Sequence, residues 1–254
     1  MGIIYFIIVL IATTAGAVAG VGGGVIIKPA LDAIGQYNVE TIGLLASFAV
    51  FSMAVVATIR RWIHGFSLDV KILMLALGSI AGGLLGKEIL YALTASMDSE
   101  IVKLIQSVII AMLMVMILFK NRMKRHCIDN NIVVLAGGLL LGLLASFLGI
   151  GGGPVNVVIL YLYMGMDIKK AATGSIIIIL LAQAAKLLSV AVTFGYAVYD
   201  LSMLWYIIPA GIIGGFIGSV LHLKIDEKAV SIVFNSTVII VILLCLYNIA
   251  TVIL

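Results

Sequence analysis

The groups in this sequence best placed to do chemistry are backbone groups. Two glycine clusters, GVGGG at Gly20–Gly24 and GIGGG at Gly149–Gly153, stand 129 residues apart. Glycine reaches left-handed backbone angles that other residues avoid, so each cluster is expected to break a helix. A half-helix starting just after such a break presents unpaired N–H groups and the positive end of its dipole. Pro154, directly after the second cluster, suits a first helical position. Two such N-termini meeting form an anion-attracting site made of backbone. Neither cluster is a nucleotide loop. Val25 and Pro154 stand where a dinucleotide fingerprint needs its third glycine, and no Gly-Lys-Ser/Thr occurs in the chain.

Few side chains are available to join this site. Lys186 lies inside an apolar stretch, ILLAQAAKLLSV, where a charge is costly and faces a cavity or a partner. Its alternative is to snorkel to an interface. On a helical wheel Ser175, Lys186, Ser189 and Thr193 share one face, with Gln183 at its edge. Ser47, Thr58 and Arg61 take the equivalent face of the first half, and Arg61 reads as a topology anchor. The candidate binding set is Gly22, Gly23, Gly24, Ser47, Gly151, Gly152, Gly153, Pro154, Asn156, Ser175, Gln183 and Lys186. Every Asp and Glu falls at or near a segment end, as do His64, His126 and His222, so the histidines are expected to be solvated or interfacial. An interior that is positive and free of carboxylate favours a small anion over a metal cation.

The elements that must hold these residues are membrane helices. Apolar residues make up 64% of the chain and charged residues 10%. Mean hydropathy is +1.32, so lipid is the expected solvent. Backbone groups in lipid are satisfied only in helices or closed barrels. Continuous runs such as Ile176–Leu181 lack the alternation of a barrel. The start, MGIIYFIIVL, has no basic leader and reads as a retained segment, not a signal peptide. Cys127 and Cys245 suggest neither a disulfide framework nor a metal site. The net charge of +4 reports orientation and not nucleic-acid affinity.

Apolar segments fall at 2–35, 41–59, 70–92, 101–119, 132–164, 171–194, 201–222 and 229–253. The halves repeat in order. The glycine clusters match, Ala46-Ser47 matches Gly174-Ser175, and Gly82, Gly83 and Gly86 match Gly214, Gly215 and Gly218. The glycines of this last match are read as packing contacts. Segments 2–35 and 132–164 are too long for one upright crossing. If each enters and returns on one side, eleven loop Lys and Arg share a face and only Lys28, Lys87 and Lys103 occupy the other. The expected fold is therefore an all-α, polytopic helical bundle of two inverted repeats. Each repeat is a glycine-broken re-entrant hairpin plus three transmembrane helices. The first repeat spans residues 1–119 and the second 132–254, joined by a basic cytoplasmic linker at 120–131. Paired broken segments in inverted halves point to a transporter's binding site.

The stretches GVGGGVIIKPALDAIG and FLGIGGGPVNVVILYLYMGMDIKKAATGSI, with GSIAGGLLG and AGIIGGFIG, resemble the TauE/SafE sulfite exporter family over nearly the whole chain. The resemblance implies a multi-pass transporter of sulfite, sulfonates or related organosulfur acids, working as an exporter in the cell (inner) membrane. The second half departs from the first in having no proline that matches Pro29. The first half has Leu-Leu-Ala-Ser, ending at Ser47, where the second has Ala-Thr-Gly-Ser, ending at Ser175. Two alternatives stand beside a secondary transporter: an anion channel on the same scaffold, or an assembly subunit that transports nothing. An enzyme is not expected, because no nucleophile set or HExxH-like spacing is present. No cofactor is expected either. The partners are the small anion, the lipid bilayer and, as one option, a second copy in a homodimer, with no nucleic acid.

Overall fold

The structure is a computed structural model that describes residues 2–66, 69–122, 128, 130–193 and 195–253. The described residues form ten α-helices and a short 3₁₀ turn, without strands. The first five helices are α1 Gly2–Ala19, α2 Gly24–Ile34, α3 Val39–Ile63, α4 Val70–Ser96 and α5 Ser99–Leu118. After the turn Phe119–Arg122 come α6 Asn131–Leu148, α7 Gly153–Tyr163, α8 Ile168–Thr193, α9 Leu204–Lys224 and α10 Glu227–Ile253. Most of the basic linker, including Lys124, Arg125, His126 and Cys127, lies outside the described residues.

Eight of these helices are long and apolar enough to cross a membrane. The exceptions, α2 and α7, have 11 residues each, about 16 Å at 1.5 Å per residue. Polar caps set several helix starts. Asn38 accepts from the Thr41 N–H, Asp69 from Lys71 and Asn130 from Ile132. Large apolar side chains such as Ile132, Val192 and Trp205 are exposed on the outside, as a lipid solvent demands.

Both glycine clusters break their helices, and they do so with one backbone pattern. Gly20, Gly22 and Gly23 have φ of 76°, 82° and 73°, and Gly149, Gly151 and Gly152 have 68°, 75° and 72°. These left-handed angles carry a steric cost for any residue with a Cβ. The intervening Val21 and Ile150 keep ordinary negative φ. The first break packs against α1, since a methyl on Gly23 would lie 2.8 Å from the Ala12 carbonyl oxygen.

The main helix contacts map onto one another when α1–α5 are matched in order with α6–α10. Helix α4 runs along α6, and α9 along α1. Helix α3 meets α9, and α8 meets α4, while α3 pairs with α8 and α5 with α10. Glycine faces permit the closest of these approaches. A methyl on Gly82 would sit 1.8 Å from Leu139 O, and one on Gly142 2.0 Å from Ser79 O. On the opposite pair, Gly214 seats Thr13 and Gly218 seats Thr14. The packing role read for Gly82, Gly86, Gly214 and Gly218 is what these contacts show.

Candidate functional site

The two breaks seat on each other reciprocally. A methyl on Gly24 would lie 2.9 Å from Ile150 O, and one on Gly153 2.0 Å from Val21 O. These contacts carry the same 129-residue offset as the glycine clusters. Helices α2 and α7 therefore begin at one place. Neither has a side-chain cap at its N-terminus. The Ile26 N–H turns back to Gly23 O, and Pro154 has no N–H, so the N–H groups of Gly24, Val25, Gly153 and Val155 are the ones left to a ligand or water. Ser175 ties the crossing together: its Oγ lies 2.6 Å from Gly20 O and 3.2 Å from Gly153 O. Two apolar side chains seal the middle. Ile179 stands over Gly22, and Val50 reaches towards both Gly22 and Gly151.

The second break also carries amides. Gln183 Nε2 would stand 2.9 Å from a methyl on Gly151, and the Asn156 amide faces Gly152. Both amides are buried, and Gln183 Oε1 and Asn156 Oδ1 have no hydrogen-bond partner. Buried polar atoms are normally partnered, and these two unpartnered atoms are acceptor oxygens beside two helix N-termini. Lys186 lies one turn beyond Gln183. Its Nζ donates to Gly43 O at 3.3 Å. It borders two cavities of about 20 Å³ each, which share Ser146 and Lys186 as lining residues.

A family model of the sulfite exporter TauE/SafE matches residues 5–245 of the chain. The chain belongs to the TauE/SafE sulfite exporter family. No curated protein and no solved structure matches it. The family and the eight spanning helices make it a multi-pass membrane protein of a transport family, not of an enzyme family.

Within this TauE/SafE chain the sequence-derived candidates fall into three groups. Gly22–Gly24, Gly151–Gly153, Pro154 and Ser175 meet at the crossing. Asn156, Gln183 and Lys186 flank its second-half side. Ser47 is buried but spends its hydroxyl on Gly43 O within α3, at 2.6 Å. It shares with Lys186 the carbonyl it contacts. Ser189 and Thr193, on the Lys186 face of α8, are engaged by Lys87 instead, at 2.8 and 3.5 Å.

Three expectations need correction. Arg61 is more than a topology anchor: it is 3% exposed, and its guanidinium donates to Ala172 O at 3.1 Å and Ala17 O at 2.6 Å. His222 is not solvated. It is 2% exposed, with Nδ1 at 2.7 Å from Val18 O and Nε2 at 3.2 Å from Thr173 Oγ1. A carbonyl only accepts, so Nδ1 carries the proton. The interior also holds a carboxylate, since Asp32 is buried and pairs with Lys28 at 2.7 Å. The Lys28 stem lies against Gly149. Each residue stands close to a segment end, and neighbouring helices bury it there. One signal for His222 was legible: it continues the face of Gly211, Gly215 and Gly218 by one helical turn.

Proposed function

We propose that the protein is a secondary exporter of a small sulfur-containing anion: sulfite, a sulfonate or a related organosulfur acid. The anion would bind where the two breaks cross, between the uncapped starts of α2 and α7, with Gln183, Asn156 and Lys186 on one side. The observation that carries this reading is the reciprocal seating of the breaks. It puts two positive helix ends at one point beside a half-buried cation, Lys186. The symmetric helix contacts support two repeats; their inversion, with each broken segment entering and leaving on one side, rests on the distribution of loop Lys and Arg.

A carrier fits better than a permanently open channel, because Val50 and Ile179 fill the space between the glycines. Transport then requires the crossing to open to each side in turn. On the Lys169–Lys170 face lies a cavity of about 370 Å³. The positive-inside rule puts that face in the cytoplasm, the loading side for an exporter. Counterflow in proteoliposomes tests the function. A carrier loaded with unlabelled sulfite accumulates labelled sulfite against its gradient, and likewise for a sulfonate. Dissipation without accumulation makes the protein a channel, and no flux of any sulfur anion removes the reading.

A further inference from the structure

The cavity of about 370 Å³ lies away from the glycine crossing, among the ends of α3 and α9 and the starts of α8 and α10. Arg61, His64, Lys169, Lys170, Thr173 and His222 are among its lining residues. Its volume equals that of roughly a dozen liquid waters, so it is a basin and not a packing defect. Arg61 forms its inner wall. Both terminal nitrogens of the guanidinium are spent on neutral carbonyls, those of Ala17 in α1 and Ala172 in α8. The buried Nε–H has no partner, and no carboxylate pairs with the side chain among the described residues. A buried guanidinium facing only carbonyls is costly and lacks its natural bidentate counterpart.

Lys169 faces the same basin under similar terms. Its Nζ donates to Ile225 O at 2.7 Å and Leu223 O at 3.4 Å, both neutral acceptors. Of the basin's two acidic residues, Asp167 is paired with Lys170 at 3.5 Å and Glu227 is exposed. The deficit is of negative charge.

We propose that this basin is an anion-loading station, distinct from the crossing, in which Arg61 and Lys169 hold a small oxyanion. The bound oxyanion competes with Ala17 O and Ala172 O for the guanidinium. Capture therefore loosens the tie between α1 and α8, beside the Ser175–Gly20 contact that closes the crossing. Arg61 is in this sense a latch that the substrate itself releases. The ligand class rests on the transport reading above; the position of the station does not.

Calorimetric titration of the purified full-length protein with sulfite, and separately with methanesulfonate, tests the station. Lys186→Met removes the cation beside the crossing and is expected to leave one anion site of unchanged affinity. Adding Arg61→Met to it is expected to weaken that site about ten- to a hundredfold, the scale of lost hydrogen bonds to a charge. Lys169→Met is expected to weaken it without touching the guanidinium ties, and it carries the test if the Arg61 variant does not fold. Loss of all binding in Lys186→Met overturns the station while leaving the crossing intact. Unchanged affinity in the Arg61 or Lys169 variants, or no anion binding by the parent protein, also overturns it. Arg61-dependent binding without counterflow leaves the station standing and removes the transport reading instead.

Discussion

Arg61 and Lys186 do the same thing on opposite flanks of the glycine crossing, with different surroundings. Arg61, on α3, donates across to Ala172 O of α8; Lys186, on α8, donates across to Gly43 O of α3. The two acceptor carbonyls stand 129 residues apart, like the two breaks. Beyond Arg61 lies a cavity of about 370 Å³, whereas Lys186 borders two of about 20 Å³. The narrow side is closed by paired side chains: Tyr91 with Tyr199, Thr94 with Glu40, and Lys87 with Ser189. Matching ties thus stand on the two flanks, and the narrow one also carries the paired side chains. In a carrier, that is the difference between an open and a closed side.

Accessibility gives the sharpest break of this comparison. A single cysteine replacing Lys169 is expected to resist an impermeant thiol reagent added outside intact cells, and to react in inverted vesicles. Reaction from outside would put the open flank on the wrong side for loading an exporter, and with it the inverted-repeat reading would fall.

Next in size is the crossing. Gly153→Ala drives a methyl to 2.0 Å from Val21 O, and overpacking of this kind costs about 1–3 kcal/mol or more. Loss of counterflow with a lowered melting temperature is expected. Gly137→Ala is the matched control in α6, with nothing within 4 Å of the added methyl. It is expected to keep transport and to gain up to about 1 kcal/mol in stability. If the two variants behave alike, the seating of the breaks is not what transport depends on.

Lys186→Met probes the narrow flank. A charge pair at about 4 Å is worth roughly 4 kcal/mol at an effective dielectric of 20. Desolvation offsets much of it, so affinity at the crossing is expected to fall about ten- to a hundredfold. Lys186→Arg keeps the charge with altered geometry and retains part of the affinity. A titration of the Met variant in which every anion site keeps its wild-type affinity, with none weakened, returns Lys186 to the interface.

The smallest effect is expected at the closure itself. Tyr199→Phe deletes the hydroxyl contact with Tyr91, worth about 1 kcal/mol. A cysteine placed at Val190, which lines the same cavity, should then react roughly fivefold faster with a small thiol reagent. An unchanged rate would mean that the tyrosine pair does not hold this flank shut.

Much of the fold was legible because membrane helices announce themselves by length and hydropathy. Segments expected at 41–59 and 70–92 became α3, Val39–Ile63, and α4, Val70–Ser96. The extra turns are amphipathic ends that hydropathy alone trims. The breaks were legible as well, since clustered glycine has few uses in a helix. At the candidate site, the glycines and Ser175 were found by their repeat, and Lys186 by its isolation in an apolar run. Arg61, His222 and Asp32 were misjudged for one shared reason. Distance from a segment end measures depth along a single helix, whereas burial depends on what the neighbouring helices place alongside.

The sequence by itself determined that this chain is helical, lives in lipid, and breaks its helices at Gly20–Gly24 and Gly149–Gly153. Each of these follows from local physics: hydrocarbon leaves the backbone few options, and glycine alone tolerates the angles of the break. Only the tertiary structure decided that the breaks seat on each other, that Arg61 reaches α1 and α8, and that one flank is wide and the other narrow. Those features arise from contacts between residues more than a hundred positions apart. Such contacts are set by how whole helices stack, and no local pattern of residue types encodes which carbonyl a buried cation will meet.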